Sequence, residues 1–304
     1  MMMLAAGLLL AAILGGGWLW TPDLDRAWLE AKYAAPPSEF IEVAGVRLHV
    51  RDTGPKDAPA LLLLHGFGSS LQTWDAWAQV LQADHRVVRF DLPGAALTGA
   101  DPTGNYSDER GVQIIAALMD RLGIQRATIV GHSMGGRLAW RFAAEQPQRV
   151  DKLVLVAPDG YASPGFEYGK APEVTPLVRL MQYVLPRAVV GMSLKPAYAD
   201  PRDMSEADLD RYDDLMRAPG VRTALIARMQ QLVLQDPAPF LQRIAAPTLL
   251  LWGSKDAMIP VANAQDYLRD LPHARLVTLP GAGHLLQEES AAVSVAAVQA
   301  FLAE

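Results

Sequence analysis

The sequence predicts an α/β fold: a mostly parallel central sheet with helices on both faces and an inserted helical cap. Three observations carry this. Short, continuous apolar runs alternate with longer amphipathic stretches from Ala60 onward. The alternation breaks over residues 159–246, which hold helical stretches and many prolines but no comparable strand, and then resumes. A glycine-flanked serine, Gly131-His132-Ser133-Met134-Gly135, lies where one apolar run passes into a helix.

The elements follow in order. Phe40–Val43 and Val46–Arg51 alternate and are joined through Ala44-Gly45, which reads as a β-hairpin. Ala60–Leu64 is apolar throughout, as a strand buried on both faces requires. Thr73–Leu81 reads as a helix, Arg86–Asp91 as a strand, and Tyr106–Leu122 as a helix closed by Gly123. Ala127–Gly131 is a strand, Met134–Glu145 a helix ended by Pro147, and Lys152–Val156 a strand. After the break come strand Thr248–Trp252, helix Val261–Asp270, strand Ala274–Leu279 and helix Ser290–Leu302. Strands alternating with helices imply parallel pairing through crossovers. The expected organisation is a core over 39–158 and 247–304 with a helical cap over 159–246.

Residues 1–20 contain no charge. As a helix rising ~1.5 Å per residue they span about 30 Å, the thickness of a bilayer's hydrocarbon core. Trp18 and Trp20 stand at the end, where indoles favour a membrane boundary. An uncleaved transmembrane anchor competes with a cleaved signal peptide and with a mistaken start or buried helix. The anchor is preferred, since no Lys or Arg precedes the apolar core and no clear A-x-A site follows. The flank after it (Asp23, Asp25, Arg26, Glu30, Lys32) is slightly acidic and favours a periplasmic or other extracytoplasmic body. Residues 21–38, ending in Ala34-Ala35-Pro36-Pro37-Ser38, read as a linker.

Composition narrows the function. Hydrophobic residues make up 51% and charged residues 20%, enough for a large core and against a disordered chain. A net charge of −6 and the lack of basic runs argue against a nucleic-acid partner. There is no cysteine, which excludes disulfides, thiolate nucleophiles and Cys-ligated zinc. No His/Asp/Glu cluster has metal-ligand spacing and no G-x-G-x-x-G follows a strand, so neither metal nor dinucleotide cofactor is expected.

The serine motif matches G-x-S-x-G. Such a serine sits on a sharp strand-to-helix turn where bulky neighbours would clash, and flanking glycines remove that clash. Alone the pattern also fits an ordinary Gly-rich turn; its place between an apolar strand and a helix favours the nucleophile reading. Serine needs a base to take its proton. His284, in Pro280-Gly281-Ala282-Gly283-His284, follows the last expected strand and can reach the same sheet edge. His49, His85 and His273 lie on or beside strands and read as structural or exposed, and His132 as packing or loop support. The base needs a carboxylate to hold its tautomer. Asp256 follows strand Thr248–Trp252 and gives the chain order Ser, Asp, His. Asp159, after Val156-Ala157-Pro158, is the alternative acid. The oxyanion donors are expected to be the backbone N–H groups of Met134 and Phe67, the latter in His65-Gly66-Phe67-Gly68.

At these residues the chain resembles the α/β-hydrolase superfamily and, within it, membrane-anchored bacterial lipase- and esterase-like members with an HG-x oxyanion loop. The resemblance covers about Phe40 to Leu302. It rests on His65–Gly68, Asp91-Leu92-Pro93-Gly94, Gly131–Gly136, Gly253–Asp256 with Pro260, and Gly283-His284. One departure is Ala95-Ala96, where the family commonly has another glycine. Relatives with a carboxylate nucleophile are dehalogenases and epoxide hydrolases, so Ser133 points to acyl transfer. The resemblance implies a carboxylesterase or lipase acting on a small-molecule ester. A C–C bond hydrolase, lactonase or perhydrolase on the same triad, and a non-catalytic membrane-anchored binding protein, are the rivals. Met181, Met192, Met204, Met216 and Met229 in the cap suit an adaptable apolar pocket, although each singly reads better as packing.

Overall fold

Strands of continuous Leu, Val and Ile bury both faces only in the middle of a layered structure, and that is where they lie. The computed structural model describes residues 20–162 and 167–304. The elements before the serine are α1 (Arg26–Tyr33), β1 (Ser38–Val43), β2 (Val46–Thr53), β3 (Ala60–Leu64), α2 (Asp75–Leu81), β4 (Arg86–Phe90), α3 (Asp108–Arg121) and β5 (Ala127–His132). After it come α4 (Met134–Glu145) and β6 (Val150–Val156). Among the described residues the segment between β6 and β7 holds the α-helices α5 (Pro176–Leu180), α6 (Arg187–Leu194), α7 (Glu206–Met216), α8 (Val221–Gln231) and α9 (Ala238–Leu241). The chain closes with β7 (Thr248–Gly253), α10 (Ala264–Asp270), β8 (Ala274–Leu279), α11 (Leu286–Glu289) and α12 (Ala291–Leu302).

The eight strands form one sheet in the order β1-β2-β4-β3-β5-β6-β7-β8. β1 and β2 pair antiparallel, as do β2 and β4; every other pair is parallel. The period of two divides the core. Leu62, Leu64, Ile129, Leu155 and Leu250 face α3 and α4, whereas Leu61, Leu63, Val130, Val154 and Leu251 face α2 and α12. Each such side chain contributes ~1.5–3 kcal/mol by leaving water.

Helix ends differ from the expected ones where side-chain caps decide them. Ser107 accepts from Arg110 N, so α3 starts at Asp108 rather than Tyr106. A 3₁₀ turn, Leu71–Trp74, precedes α2. Ala96, where a glycine is common in the family, takes a left-handed φ of 41°. The turn keeps its shape at the cost of some strain.

Two expectations at the N-terminus are corrected. Among the described residues no helix is long and apolar enough to cross a membrane, against the expected membrane-anchored chain with an extracytoplasmic body. Residues 1–19 of the expected anchor lie outside the described residues. Its last residue, Trp20, stacks on Tyr183 with ring centroids 5.7 Å apart, so the indole finds a protein surface. The stretch read as a linker contains α1. Asp25 caps it, Leu29 is fully buried, and Lys32 and Tyr33 both reach Asp214 at 2.7 Å. Only one apolar residue of α1 is buried, which is why its periodicity was too weak to read.

Candidate active site

Ser133 stands between β5 and α4 with φ 53° and ψ −120°, a conformation an L-residue holds only under constraint. The constraint is visible. Ser133 N donates to Val156 O, and Ser133 O accepts from Asp159 N, both at 3.0 Å. The glycines are needed for close approach: a Cβ on Gly131 would lie 2.3 Å from Gly135 O, and one on Gly135 would lie 2.4 Å from Leu64 O.

His284 is buried in the loop after β8. Its Nδ1 lies 2.8 Å from Asp256 Oδ2. The other carboxylate oxygen, Oδ1, accepts from Met258 N at 2.9 Å and Ile259 N at 2.8 Å, which fixes the group in place. The two loops are laced by Ser254 N to Leu279 O and Lys255 N to Ala282 O. Asp159 stands elsewhere: its Oδ2 accepts from Arg137 Nη1 at 2.7 Å. Ser133 and His284 line the same cavities.

Of the two expected oxyanion donors, Met134 follows the serine directly and Phe67 lines both cavities with it. Met134 opens α4, so its N–H has no intrahelical acceptor. Phe67 is the second residue of a turn closed by Ser69 N to Gly66 O, which leaves its N–H outside the turn's hydrogen bond. His65 and His132 support this floor. His65 Nε2 accepts from Leu92 N and its Nδ1 donates to Gly66 O, so the ring is neutral with its proton on Nδ1. Burial pushes both imidazoles below their ordinary value; Asp91 opposes this at His65, and His284 adds to it at His132.

Two chambers meet at the serine. One, of about 280 Å³, is apolar, walled by Val178, Met181, Leu185, Leu225, Ile226 and Met229 with Tyr212 and Arg222 at its edge. The other, of about 240 Å³, is more polar and contains Arg137, Asp159, Arg228 and Asn263. Helix α8 divides them. Arg222, Leu225, Ile226 and Met229 face the apolar chamber at helical spacing, while Arg228 and Met229 face the polar one. Burial, and then Arg137, pushes the Arg228 guanidinium down to about 10. Of the cap methionines, Met181, Met216 and Met229 line the apolar chamber, Met192 is exposed and Met204 packs. Of these wall residues the sequence singled out only the methionines and Asp159. The 222–225–226–229 spacing was the available signal, hidden by Arg222 at its head.

A second Ser-His-Asp array exists. His49 Nδ1 lies 2.7 Å from Asp91 Oδ2, and His49 Nε2 lies 2.9 Å from Ser38 Oγ. Ser38 lines neither chamber. Asp91 also accepts from Leu71 N and Leu97 N, and ties the β4 end to the loops around it.

Comparison with known proteins identifies the family of the fold. A family model described as the alpha/beta hydrolase fold matches residues 59–291. The chain is 32% identical over 265 residues to the dihydrolipoyllysine-residue acetyltransferase component of the acetoin cleaving system of Pseudomonas putida. That match covers 84% of this chain and 66% of the relative, so the chain spans about two thirds of that protein's length. It is 28% identical over 267 residues to a 2-hydroxy-6-oxo-6-phenylhexa-2,4-dienoate hydrolase of Burkholderia cepacia, covering 84% of this chain and 92% of that one. Among solved structures, a membrane phospholipase A described as a bacterial virulence factor has a TM-score of 0.76 at 27% identity. That match covers 99% of this chain and 98% of the other. A sheet of this order, a strained serine after β5 and a family match across most of the length agree: the chain belongs to the alpha/beta hydrolase fold family.

Proposed function

We propose that the chain is a serine hydrolase that cleaves carboxylic esters with an apolar acyl group through an acyl-enzyme intermediate. The observation that carries this is the His284–Asp256 pair at 2.8 Å beside a strained Ser133, at the mouth of an apolar chamber. In this reading Ser133 Oγ attacks the ester carbonyl carbon while His284 Nε2 takes its proton. Asp256 holds the Nδ1–H tautomer and stabilises the imidazolium. The N–H groups of Met134 and Phe67 receive the developing oxyanion. The C–O bond breaks, and the alcohol leaves with the proton from His284. Water, deprotonated by His284, then attacks the acyl-enzyme and releases the acid and a restored Ser133. The apolar chamber takes the acyl chain and the polar chamber the alcohol. The similarity to a phospholipase A supports an ester with a lipid-like acyl chain.

A p-nitrophenyl ester series with Ser133→Ala, together with fluorophosphonate labelling, tests it. Turnover and labelling are expected in the wild type and absent in Ser133→Ala; equal slow turnover in both sinks the reading. A second reading, C–C bond or lactone hydrolysis on the same three residues, is favoured by the dienoate hydrolase similarity and by Arg228 in the polar chamber. Turnover of a 2-hydroxy-6-oxo-dienoate at a rate above that of every ester would select it.

A further inference from the structure

The chain turns directly from His284 into α11, and two carboxylates of that short helix reach back to the cap. Glu289 Oε1 accepts from Gly283 N at 2.6 Å, and its Oε2 accepts from Ala199 N at 2.9 Å. In the same place Ala197 O accepts from His284 N at 2.8 Å and from Leu285 N at 3.1 Å. The approach is tight: a Cβ on Gly283 would lie 2.5 Å from Ala199 N. Its neighbour Glu288 accepts from Thr73 Oγ1, Tyr198 OH, Tyr212 OH and Arg211 Nη2. Tyr212 also lines the apolar chamber. The backbone that carries His284 is thus hydrogen-bonded directly to Ala197 of the cap and, through the Glu289 carboxylate, linked to Ala199.

We propose that Glu289 is a positioning residue for His284: by holding Gly283 N and Ala199 N with one carboxylate, it makes the placement of the imidazole depend on the seating of the cap. Closing the cap over an acyl chain and aligning the base are then one event. The proposal rests on the reading of Ser133 as nucleophile and His284 as base. Both partners of Glu289 are backbone N–H groups, which cannot turn round to accept. A glutamine in its place has one acceptor oxygen, and its amide N–H₂ would face a second donor, so one of the two links is lost. Misplacing a catalytic group by 1 Å can cost about 10²-fold, so even a small release of the loop is measurable.

The test is steady-state kinetics of Glu289→Gln on p-nitrophenyl octanoate, with fluorophosphonate labelling of Ser133 followed in parallel. The expected result is a fall in kcat of about tenfold or more and a similar slowing of labelling, with KM within about twofold. Tyr198→Phe, which removes a cap link to Glu288 and leaves Glu289 in place, is expected to keep kcat. A rise in KM with kcat and labelling unchanged would show Glu289 to be cap packing alone and overturn the proposal. Equal losses in Glu289→Gln and Tyr198→Phe would also overturn it, since they would trace to general loosening of the cap. Where Glu289→Gln does not fold, Glu289→Asp, too short to span both donors, is read in the same way. If the wild type neither labels at Ser133 nor cleaves any ester, the underlying reading fails and the positioning role falls with it. Wild-type activity with an unchanged Glu289→Gln removes the positioning role alone.

Discussion

His132 Nε2 donates to the backbone carbonyl of His284 across 3.0 Å, so the residue before the strained serine holds the backbone of the histidine beside it. Because that acceptor is a carbonyl, the proton sits on Nε2. Nδ1 is left buried without a partner. The two rings stand 4.5 Å apart, and a second positive charge beside His284 is disfavoured.

This geometry gives a pH dependence of stability. Burial first, and His284 second, holds His132 well below 6.5 in the folded chain. The unfolded chain binds a proton there near pH 6.5 and the folded one does not, so stability is full above that pH and falls as pH drops below it. His132→Gln is expected to flatten the loss of stability between pH 7 and pH 5. Urea unfolding at several pH values measures it; an unchanged slope would remove His132 from the acid sensitivity.

The two candidate carboxylates separate by kinetics. Asp256→Asn should lower kcat by about 10⁴, because an amide favours the wrong imidazole tautomer. Asp159→Asn should change kcat by less than about tenfold, since its carboxylate faces Arg137 rather than His284. The reverse ranking on a p-nitrophenyl ester would reassign the acid.

The elbow is intolerant of a methyl group. Gly135→Ala would push a Cβ into the Leu64 and His65 carbonyls, which are backbone and cannot rotate away. A loss of at least about 1–3 kcal/mol is expected in urea unfolding. Wild-type stability in that variant would contradict the close packing of α4 on β3.

Chain-length preference should follow the apolar chamber. Met181→Trp fills part of it and is expected to reduce kcat/KM for an octanoyl ester by about 10-fold or more relative to the acetyl ester. A uniform change across chain lengths would place the acyl group elsewhere.

The Ser38–His49–Asp91 array supplies a control for connectivity without a chamber. Ser38→Ala is expected to leave fluorophosphonate labelling at one group per chain, whereas Ser133→Ala abolishes it. Mass spectrometry of labelled peptides reads the difference, and label found on Ser38 would show that a hydrogen-bonded triad suffices without a binding cavity.

The sequence by itself determined the sheet and the elbow. Runs such as Leu61–Leu64 and Leu249–Leu251 can be stable only between two layers, and Gly131 answers a contact with Gly135 made within a single strand-turn-helix. Those signals are local, and period and spacing preserve them. Tertiary structure alone decided which carboxylate stands against His284, how α8 divides two chambers, and that α1 docks on Asp214 rather than hanging as a linker. It also set Glu289 against Ala199, 90 residues away along the chain. Such relationships depend on how separately formed elements pack, and no periodicity along the chain encodes the distance between residues that meet only after folding.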